Sequence, residues 1–193
     1  MSTPSYAWLD LLRTGSEKIL EWNYRDHAEQ RKYETRNPQR LGSTGASEEE
    51  IARAEERLGI ILPPSYRQCL QAANGWDIVG YGEGHLASVT EIGWLRDVDS
   101  DIALGWSDED LPPVSDEEYF TYGEGQDCCL HFRTEYIPDT LWIGEHDEGA
   151  FLLNPHIKTP DGEWEAWFMA SWLPGATRFR SFWDLMRDQY SGY

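Results

Sequence analysis

The clearest pattern of hydrophobic and polar positions predicts an amphipathic helix early in the chain. Its apolar residues recur at helical spacing, at Ile51, Ala54 and Leu58, and would form one stripe along the helix. Ser47 and Glu50 stand three residues apart before this stripe, which is the spacing of a capping box. The pattern therefore predicts a helix that begins just after Ser47.

A second helix is predicted directly after the first, beyond a tight corner. Gly59 stands where a left-handed residue ends a helix. Pro63-Pro64 suits the first turn of the next helix, because the N–H that proline lacks has no helical acceptor there. The apolar positions of the second helix are Tyr66, Leu70 and Ala73. Asn74-Gly75 is a turn sequence that ends it.

Beyond this helix pair, the pattern predicts helices at both ends of the chain. Residues 6–33 have an apolar side at helical spacing, with a break expected at Gly15, and the turn-rich residues 37–44 are predicted to form a linker. A last helix is predicted to begin after Ser181, which can cap it. Glycines at loop spacing predict a loop over residues 76–84.

Short aromatic segments bounded by turn residues predict the strands of an antiparallel sheet. These segments are His85–Ala87, Tyr119–Tyr122, Cys128–Phe132, Thr140–Gly144, Gly149–Leu153 and Trp164–Ala170. The segment Asp97–Glu118 is predicted to be an acidic loop, and Glu145–Gly149 the loop of a hairpin. The chain is therefore expected to have an α+β fold, with a five- or six-stranded, mainly antiparallel sheet and helices packed on one side. Residues 1–44 would form an N-terminal helical extension with its linker, and residues 45–193 the folded domain.

Three stretches, in this order along the chain, resemble a known family. They are the corner Leu58-Gly-Ile-Ile-Leu-Pro-Pro-Ser-Tyr66 with Asn74-Gly75, then Ile143-Gly144 with Ala150–Pro155, and finally Ser181–Met186. In these stretches the chain resembles the SMI1/KNR4 family of the SUKH superfamily, over roughly residues 45 to 190. The resemblance implies the SUKH fold, with the middle stretch as its central hairpin and the last stretch as its closing helix.

Charge is the strongest compositional signal in this chain of 193 residues, whose formal net charge is −19. The charge is uneven, because residues 1–96 hold 14 acidic and 11 basic side chains whereas residues 97–193 hold 21 and 5. This sign of charge excludes most proteins that bind nucleic acids or anionic membranes directly, since these need a basic surface. The acidic half is either a solvated, partly disordered face or a landing surface for a basic protein.

On the second interpretation, the partner-binding side chains are carboxylates of the acidic loop and of the hairpin loop, with two tryptophans beside loops as aromatic anchors. These candidates are Trp76, Asp97, Asp99, Asp101, Trp106, Asp108, Glu109, Asp110, Asp116, Glu117, Glu118, Glu145, Asp147 and Glu148. The alternative for both tryptophans is a place in the core, where most of the ten tryptophans must lie.

No arrangement typical of a catalytic or metal site is apparent in the sequence. None of the five histidines has the spacing of a metal-binding motif. Cys128-Cys129 lies near His131, but in the predicted strand the two cysteines are interpreted as small apolar residues of a sheet core. His146, Asp147 and Glu148 could offer ligands to a metal, but neighbouring residues of one turn seldom converge on one ion. We therefore expect no enzyme activity, no cofactor and no metal, with a carboxylate-based hydrolase as an alternative.

The family resemblance implies a function that composition cannot show. Bacterial SUKH proteins are widely immunity proteins that bind and block a cognate toxin, often a nuclease or a deaminase, whereas fungal relatives act as intracellular interaction modules. We therefore expect a non-catalytic immunity protein that binds a cognate toxin domain, in particular a basic nuclease. A regulatory or scaffold module without a toxin partner is the alternative.

The expected location is the cytoplasm. No apolar run approaches the ~20 residues of a membrane helix, and the first residues lack the basic and apolar regions of a signal peptide. The three cysteines, two of them adjacent, do not have the pattern of a disulfide framework. The sequence predicts no particular oligomeric state.

Overall fold

The structure is a computed structural model that describes residues 5–26, 44–79, 84–105, 113–146, 148–170 and 172–191. Five of the candidate partner-binding residues lie outside these ranges. They are Trp106, Asp108, Glu109, Asp110 and Asp147. Within the described ranges, the chain folds into one antiparallel sheet with helices and helical turns on both of its faces.

The sheet has seven strands in this part of the chain. They are β1 (Trp76–Val79), β2 (Gly84–Leu86), β3 (Gly93–Trp94), β4 (Leu141–His146), β5 (Gly149–Lys158), β6 (Trp164–Ala170) and β7 (Leu173–Phe179). Their order across the sheet is β1-β2-β4-β5-β6-β7, and β3 also pairs with β4. The predicted α+β fold and antiparallel sheet are therefore confirmed, with one strand more than expected.

Four helices pack on one side of the sheet, which we call the first face. They are α1 (Trp8–Asp26), α2 (Glu48–Leu58), α3 (Pro64–Ala72) and α7 (Phe182–Gln189). Because side chains alternate between the two faces of a strand, every second residue of β5 and β6 points toward these helices. These residues include Phe151, Leu153, Ala166 and Phe168, which lie in the same core cluster as the helices' apolar stripes.

The corner between α2 and α3 has the predicted geometry. The Ser47 Oγ accepts a hydrogen bond from the Glu50 N–H at 3.3 Å, and the Glu50 carboxylate accepts one from the Ser47 N–H at 2.8 Å. Gly59 has a φ of 70° and ends α2 in the left-handed conformation, which costs glycine little because it has no Cβ. Pro63 and Pro64 then lead into α3, as expected.

The N-terminal helix α1 is an integral part of the core. The predicted break at Gly15 is wrong, because α1 runs without interruption from Trp8 to Asp26. Gly15 is required for close packing instead, since a Cβ at this position would lie 2.2 Å from the Tyr190 ring. Trp8, Leu12 and Ile19 are buried against the first-face cluster, so the extension covers apolar surface of the domain.

The opposite side of the sheet, which we call the second face, is covered by short helical segments. They are α4 (Leu95–Val98), α5 (Ser100–Gly105), α6 (Asp116–Tyr119) and the 3-10 helices Gly123–Gly125 and Thr134–Asp139. Leu95, Ala103, Phe132 and Ile137 from this layer pack on Leu152, Trp167 and Met169 of the sheet. The segment predicted to be an acidic loop therefore contains three short helices within its described part.

Two of the predicted strands are wrong, at residues 119–122 and 128–132. Tyr119 ends α6, and residues 128–130 form a turn. The turn forms because the Asp127 carboxylate accepts hydrogen bonds from the N–H groups of Cys129 at 3.0 Å and Leu130 at 2.8 Å, an arrangement that competes with strand pairing. Local turn chemistry therefore outweighs the aromatic content of these segments.

Three strands, β1, β3 and β7, arise where the sequence did not predict them. The segment expected to be a glycine-rich loop begins with β1, which pairs with β2 in antiparallel fashion. The last of the three, β7, contains Pro174 and Gly175, residues that weaken a strand pattern. Proline is tolerated at the edge of a sheet, and β7 has this edge position beside β6.

Candidate partner-binding surface

The described acidic candidates lie in two places, and the larger group covers part of the second face. We call this group the acidic ledge. It comprises Asp97, Asp99 and Asp101 of the α4–α5 segment and Asp116, Glu117 and Glu118 of α6. All of these except the half-buried Asp99 are exposed. Both parts adjoin the 3-10 helix Thr134–Asp139: α4 and α5 contact it, and the Tyr119 ring at the end of α6 meets the Tyr136 ring edge-on, with centroids 6.1 Å apart.

The first part of the ledge is fixed to the start of β4. The Leu95 N–H at the beginning of α4 donates to the Thr140 carbonyl oxygen at 2.9 Å. Asp99 accepts a hydrogen bond from the Ile102 N–H at 2.9 Å and so caps α5 in the manner of an N-cap residue. Asp99 therefore has a structural role, whereas the side chains of Asp97 and Asp101 are exposed to solvent.

The second part of the ledge begins with a capping box. The Ser115 Oγ accepts a hydrogen bond from the Glu118 N–H at 3.3 Å, and the Glu118 carboxylate accepts one from the Ser115 N–H at 3.1 Å. The hydrogen bonds from Ser115 lower the pKa of Glu118, so this carboxylate keeps its negative charge at neutral pH. Arg133 binds Asp116 at 2.5 Å and donates to the Val114 carbonyl oxygen at 2.9 Å, which fastens the entry to α6.

A buried carboxylate anchors the other end of α6. The Tyr119 hydroxyl donates to one oxygen of Glu165 at 2.6 Å, and the Tyr122 hydroxyl donates to the other at 2.8 Å. The Asn154 amide at 3.0 Å and the Trp167 indole N–H at 2.8 Å also donate to Glu165. Glu165 therefore accepts hydrogen bonds from four side chains through its two oxygens.

Two arginines complete this anchor. Arg178 and Glu165 form a fully buried ion pair with 3.2 Å between Nη1 and Oε1, and the same Nη1 donates to the Tyr119 carbonyl oxygen. The guanidinium groups of Arg133 and Arg178 lie over the Tyr119 ring, 4.4 Å and 4.2 Å from its centroid. A four-residue helix has little stability of its own. These contacts therefore hold the acidic residues of α6 in a fixed position on the sheet.

Comparison with known families identifies the domain that carries the ledge. The sequence model of the SMI1/KNR4 family (SUKH-1) matches residues 45–188 of the chain. The chain belongs to this family. The match includes the sheet, both parts of the ledge and the Glu165–Arg178 pair, whereas α1 lies before it. No curated protein sequence matches the chain.

The expectation that Trp76 is an exposed anchor of the SUKH-1 domain is wrong. Trp76 is only 5% exposed, and its indole N–H donates to the Ser16 Oγ of α1 at 2.9 Å. The sequence around Trp76 has the turn signals of a surface loop, but α1 covers this position from outside the family match. A long-range contact thus decides the burial of Trp76.

The hairpin carboxylates of the SUKH-1 domain lie apart from the ledge. Glu145 and Glu148 are exposed beside the turn between β4 and β5. Trp94, directly before α4, pairs with Leu141, and Glu145 is four residues further along β4. At about 3.3 Å per residue this corresponds to roughly 13 Å. The structure therefore divides the described acidic candidates between the ledge and the turn end of the sheet.

The cysteines and histidines of the SUKH-1 domain do not form a nucleophile–base pair in the described residues. Cys128 and Cys129 are half-buried in a turn, with 3.9 Å between their sulfurs, so their expected place in a sheet core is wrong. The His131 Nδ1 accepts a hydrogen bond from the Asp127 N–H at 3.4 Å. Nowhere in the described ranges do three His, Cys, Asp or Glu side chains gather as ligands for a metal ion.

The described helices of the SUKH-1 protein include none with the length and apolar character that a membrane crossing requires.

Sequence reasoning missed the residues that hold the ledge, Glu165, Arg178 and Arg133. One signal was available, because Arg133 and Arg178 are two of only five basic residues in the second half of the chain. An isolated arginine within an aromatic, strand-forming sequence often has a buried acidic partner. The identity of that partner could not be derived from local spacing.

Proposed function

We propose that this SUKH-1 protein binds a cognate protein toxin in the cytoplasm and neutralises it stoichiometrically, without catalytic turnover. Membership of the family supports a protein partner in general. The observation that carries the more specific proposal is the acidic ledge, because its exposed carboxylates are held on the second face, those of α6 by Tyr119, Glu165 and Arg178 and those of α4–α5 by the contact of Leu95 with Thr140. A surface of this kind is suited to binding a basic protein.

The proposed partner is a basic toxin domain, such as a nuclease. The cleft of a nuclease is basic because it holds phosphate groups. An anionic protein can occupy such a cleft or its rim, and charge complementarity then accelerates the association in a salt-sensitive way. The formal net charge of −19 supports this mode of attraction.

The fixed position of the ledge favours tight binding. A flexible acidic loop would lose conformational freedom when a partner ordered it, and this loss would weaken the complex. In α6 the capping box and the Tyr119 contacts already hold the backbone in place. The carboxylates of α6 are therefore arranged before the partner arrives.

The test uses the toxin domain encoded beside the gene of this protein. A ledge variant that combines Asp97→Asn, Asp101→Asn and Glu117→Gln removes three exposed charges and leaves the capping residues intact. A control variant with Asp10→Asn, Glu56→Gln and Asp77→Asn makes the same change of net charge at exposed positions of α1, α2 and β1. We expect the ledge variant to associate about tenfold more slowly at low salt, because steering depends on nearby charge, and the control to stay within about twofold.

The association and dissociation rates are measured by surface plasmon resonance at several salt concentrations. Protection is measured by the growth of cells that produce the toxin domain. A wild-type protein that neither binds nor protects would contradict the proposed function. Equal losses in the ledge and control variants would show that net charge acts without a defined acidic surface.

A further inference from the structure

Two adjacent cysteines lie in the turn beside β7, and the proposed function does not use them. Cys128 and Cys129 are both half-buried, and their sulfurs are 3.9 Å apart. Because a disulfide bond is about 2.0 Å long, the two sulfurs need to approach by only roughly 1.9 Å to form one. The third cysteine, Cys69, is buried in the first-face cluster. Cys128 and Cys129 are therefore the thiols of this chain that solvent reaches.

The peptide unit that joins the two cysteines is held at both of its polar groups. Its carbonyl oxygen, that of Cys128, accepts a hydrogen bond from the Ala176 N–H of β7 at 3.0 Å. Its N–H, that of Cys129, donates to the Asp127 carboxylate at 3.0 Å. The turn lies so close to the strand that a Cβ at Gly175 would come 1.8 Å from the Cys128 carbonyl oxygen. This peptide unit is therefore a direct contact between the turn and the outer edge of β7.

A disulfide between these neighbouring residues would change the peptide unit that joins them. The α-carbons of neighbouring residues are only about 3.8 Å apart across a trans peptide, whereas a disulfide usually spans about 4.4–6.8 Å between α-carbons. The small ring that closes through both sulfurs therefore strains and twists the peptide unit inside it. Both hydrogen bonds of that unit depend on its orientation, so ring closure should weaken the bonds to Ala176 and Asp127. Strained disulfides are also easily reduced, which is typical of regulatory ones.

We propose that Cys128 and Cys129 form a reversible disulfide when the protein meets a peroxide, and that this modification loosens the turn from β7. In the cytoplasm, the proposed location, disulfides are usually transient and often serve redox sensing. The modification site is a property of the turn and does not depend on the proposed binding of a toxin.

The reaction balances with hydrogen peroxide as the oxidant. The Cys128 thiolate attacks one peroxide oxygen, which breaks the O–O bond and leaves a sulfenic acid and, after protonation, one water. The Cys129 sulfur then attacks the sulfenic sulfur, and the displaced hydroxide takes the Cys129 proton and leaves as the second water. The two thiols have then lost two electrons to the peroxide. Burial, followed by the Cys128 thiol and the Asp127 carboxylate, raises the pKa of Cys129, which suits Cys129 to the second step because the first requires a thiolate.

The test treats the full-length protein with hydrogen peroxide at neutral pH and then labels free thiols with a maleimide after denaturation. We expect the wild type to lose two of its three labelling sites, with the intact mass lower by two hydrogen atoms, and to regain both sites after dithiothreitol. Cys128→Ser and Cys129→Ser cannot close the ring, so neither should give this reversible product. Cys69 is the internal reference, since a buried thiol should stay reduced and be labelled in every sample.

Hydrogen exchange followed by NMR tests the effect on β7. We expect the N–H groups of Ala176 and Cys129 to exchange about tenfold faster in the oxidised protein, because the twisted peptide unit no longer holds them. The Leu95 N–H is the control, since it donates to the Thr140 carbonyl oxygen in another part of the second face. Its exchange rate should not change.

Asp127→Ala tests the coupling between the turn and the disulfide. This variant removes the acceptor of the Cys129 N–H, so the reduced turn loses a restraint that opposes ring closure. In a glutathione buffer that leaves both wild-type forms measurable, the ratio of disulfide to dithiol should rise about fivefold, which is the effect expected for one hydrogen bond. Glu124→Ala is the matched control, because Glu124 is an exposed carboxylate just before the turn, and its ratio should stay within about twofold of the wild type.

The possible outcomes decide each part of the inference. If peroxide leaves all three thiols free, or joins separate chains on a non-reducing gel in place of closing the ring, the modification site is refuted. If the Ala176 N–H exchanges equally fast in the reduced and oxidised proteins, the loosening of the turn is refuted. These measurements need no toxin domain, so the proposed function is tested separately.

Discussion

The two faces of the sheet are covered by different physical means. On the first face, apolar side chains such as Phe151, Leu153 and Phe168 meet the stripes of four helices. On the second face, β6 and β7 carry Glu165 and Arg178, a fully buried ion pair with tyrosine, asparagine and tryptophan donors around it. The first face therefore depends on non-directional burial, whereas this part of the second face depends on directional hydrogen bonds.

This difference reflects the kind of helix that packs on each face. Helices with an apolar stripe are placed mainly by burial, with a few directional contacts such as the hydrogen bond from Trp76 to Ser16 of α1. The helix α6 has only four residues and three of them are acidic, so it has one aromatic side chain with which to attach itself. A hydrogen-bonded network around Tyr119 fixes one orientation of that side chain. The second face thus uses polar contacts to position an acidic segment that packing alone would leave loose.

The largest expected effect comes from breaking the buried pair. Glu165→Ala leaves the Arg178 charge buried without its partner, and we expect a loss of about 3–5 kcal/mol in the free energy of unfolding, as for other broken buried pairs. Glu165→Leu combined with Arg178→Met removes both charges but leaves the donors of Tyr119, Tyr122, Asn154 and Trp167 without their acceptor, so we expect it to recover only part of this loss. Urea unfolding followed by circular dichroism measures both. A double variant as unstable as Glu165→Ala would show that the polar network is needed for folding as well as for position.

A smaller effect is expected from the Tyr119 hydroxyl. Tyr119→Phe removes one hydrogen bond to a carboxylate, and we expect a loss of about 1.5–3 kcal/mol at pH 7. Burial, with a further contribution from the Glu165 charge, raises the pKa of Tyr119 far above its usual range. In the unfolded chain the phenol ionises near pH 10. The stability due to this group is therefore complete below pH 10 and is lost as the pH rises.

The dependence of the free energy of unfolding on pH above pH 10 tests this prediction more sharply than the measurement at pH 7. Above pH 10 the unfolded wild type has lost a proton that the folded protein keeps, so its stability should fall about 1.4 kcal/mol per pH unit faster than that of Tyr119→Phe. Urea unfolding at pH 7, 10 and 11 compares the two proteins, with buried tyrosines common to both serving as the internal reference. A constant difference between the proteins over this range would mean that Tyr119 ionises equally well when folded.

The sequence was sufficient to predict most of the first face, although not the unbroken course of α1. The Ser47–Glu50 capping box, Gly59 and the two prolines specify the α2–α3 corner locally, and the apolar stripes follow from helical periodicity. The strands that begin near Gly149 and Trp164 were predicted from their short aromatic runs. These features need information from only a few neighbouring residues, which is why they could be derived from one sequence.

The second face could not be predicted because its decisive contacts are distant in the sequence. Tyr119 reaches Glu165 across 46 residues, and Arg178 reaches the Tyr119 carbonyl across 59. Local propensity instead favoured a strand at Tyr119, because aromatic residues are common in strands. Trp76 and Trp172 illustrate the same limit of local information. Both lie beside turn signals in the sequence, yet Trp76 is covered by α1 whereas Trp172 is exposed.

The smallest effects should come from the two capping boxes, and they test whether α6 opens independently of the sheet. Ser47→Ala removes the cap of an eleven-residue helix that is buried along its stripe, so we expect a loss of about 1 kcal/mol in global stability.

Ser115→Ala removes the same kind of cap from α6, but the Tyr119 contacts hold the other end of that helix. Its first turn can then open alone, and the global loss should be below about 0.5 kcal/mol while the Glu118 N–H exchanges about fivefold faster. Urea unfolding and hydrogen exchange measure the two quantities. Equal global losses in the two variants would mean that α6 unfolds only with the whole domain, so that the polar face would be as cooperative as the apolar one.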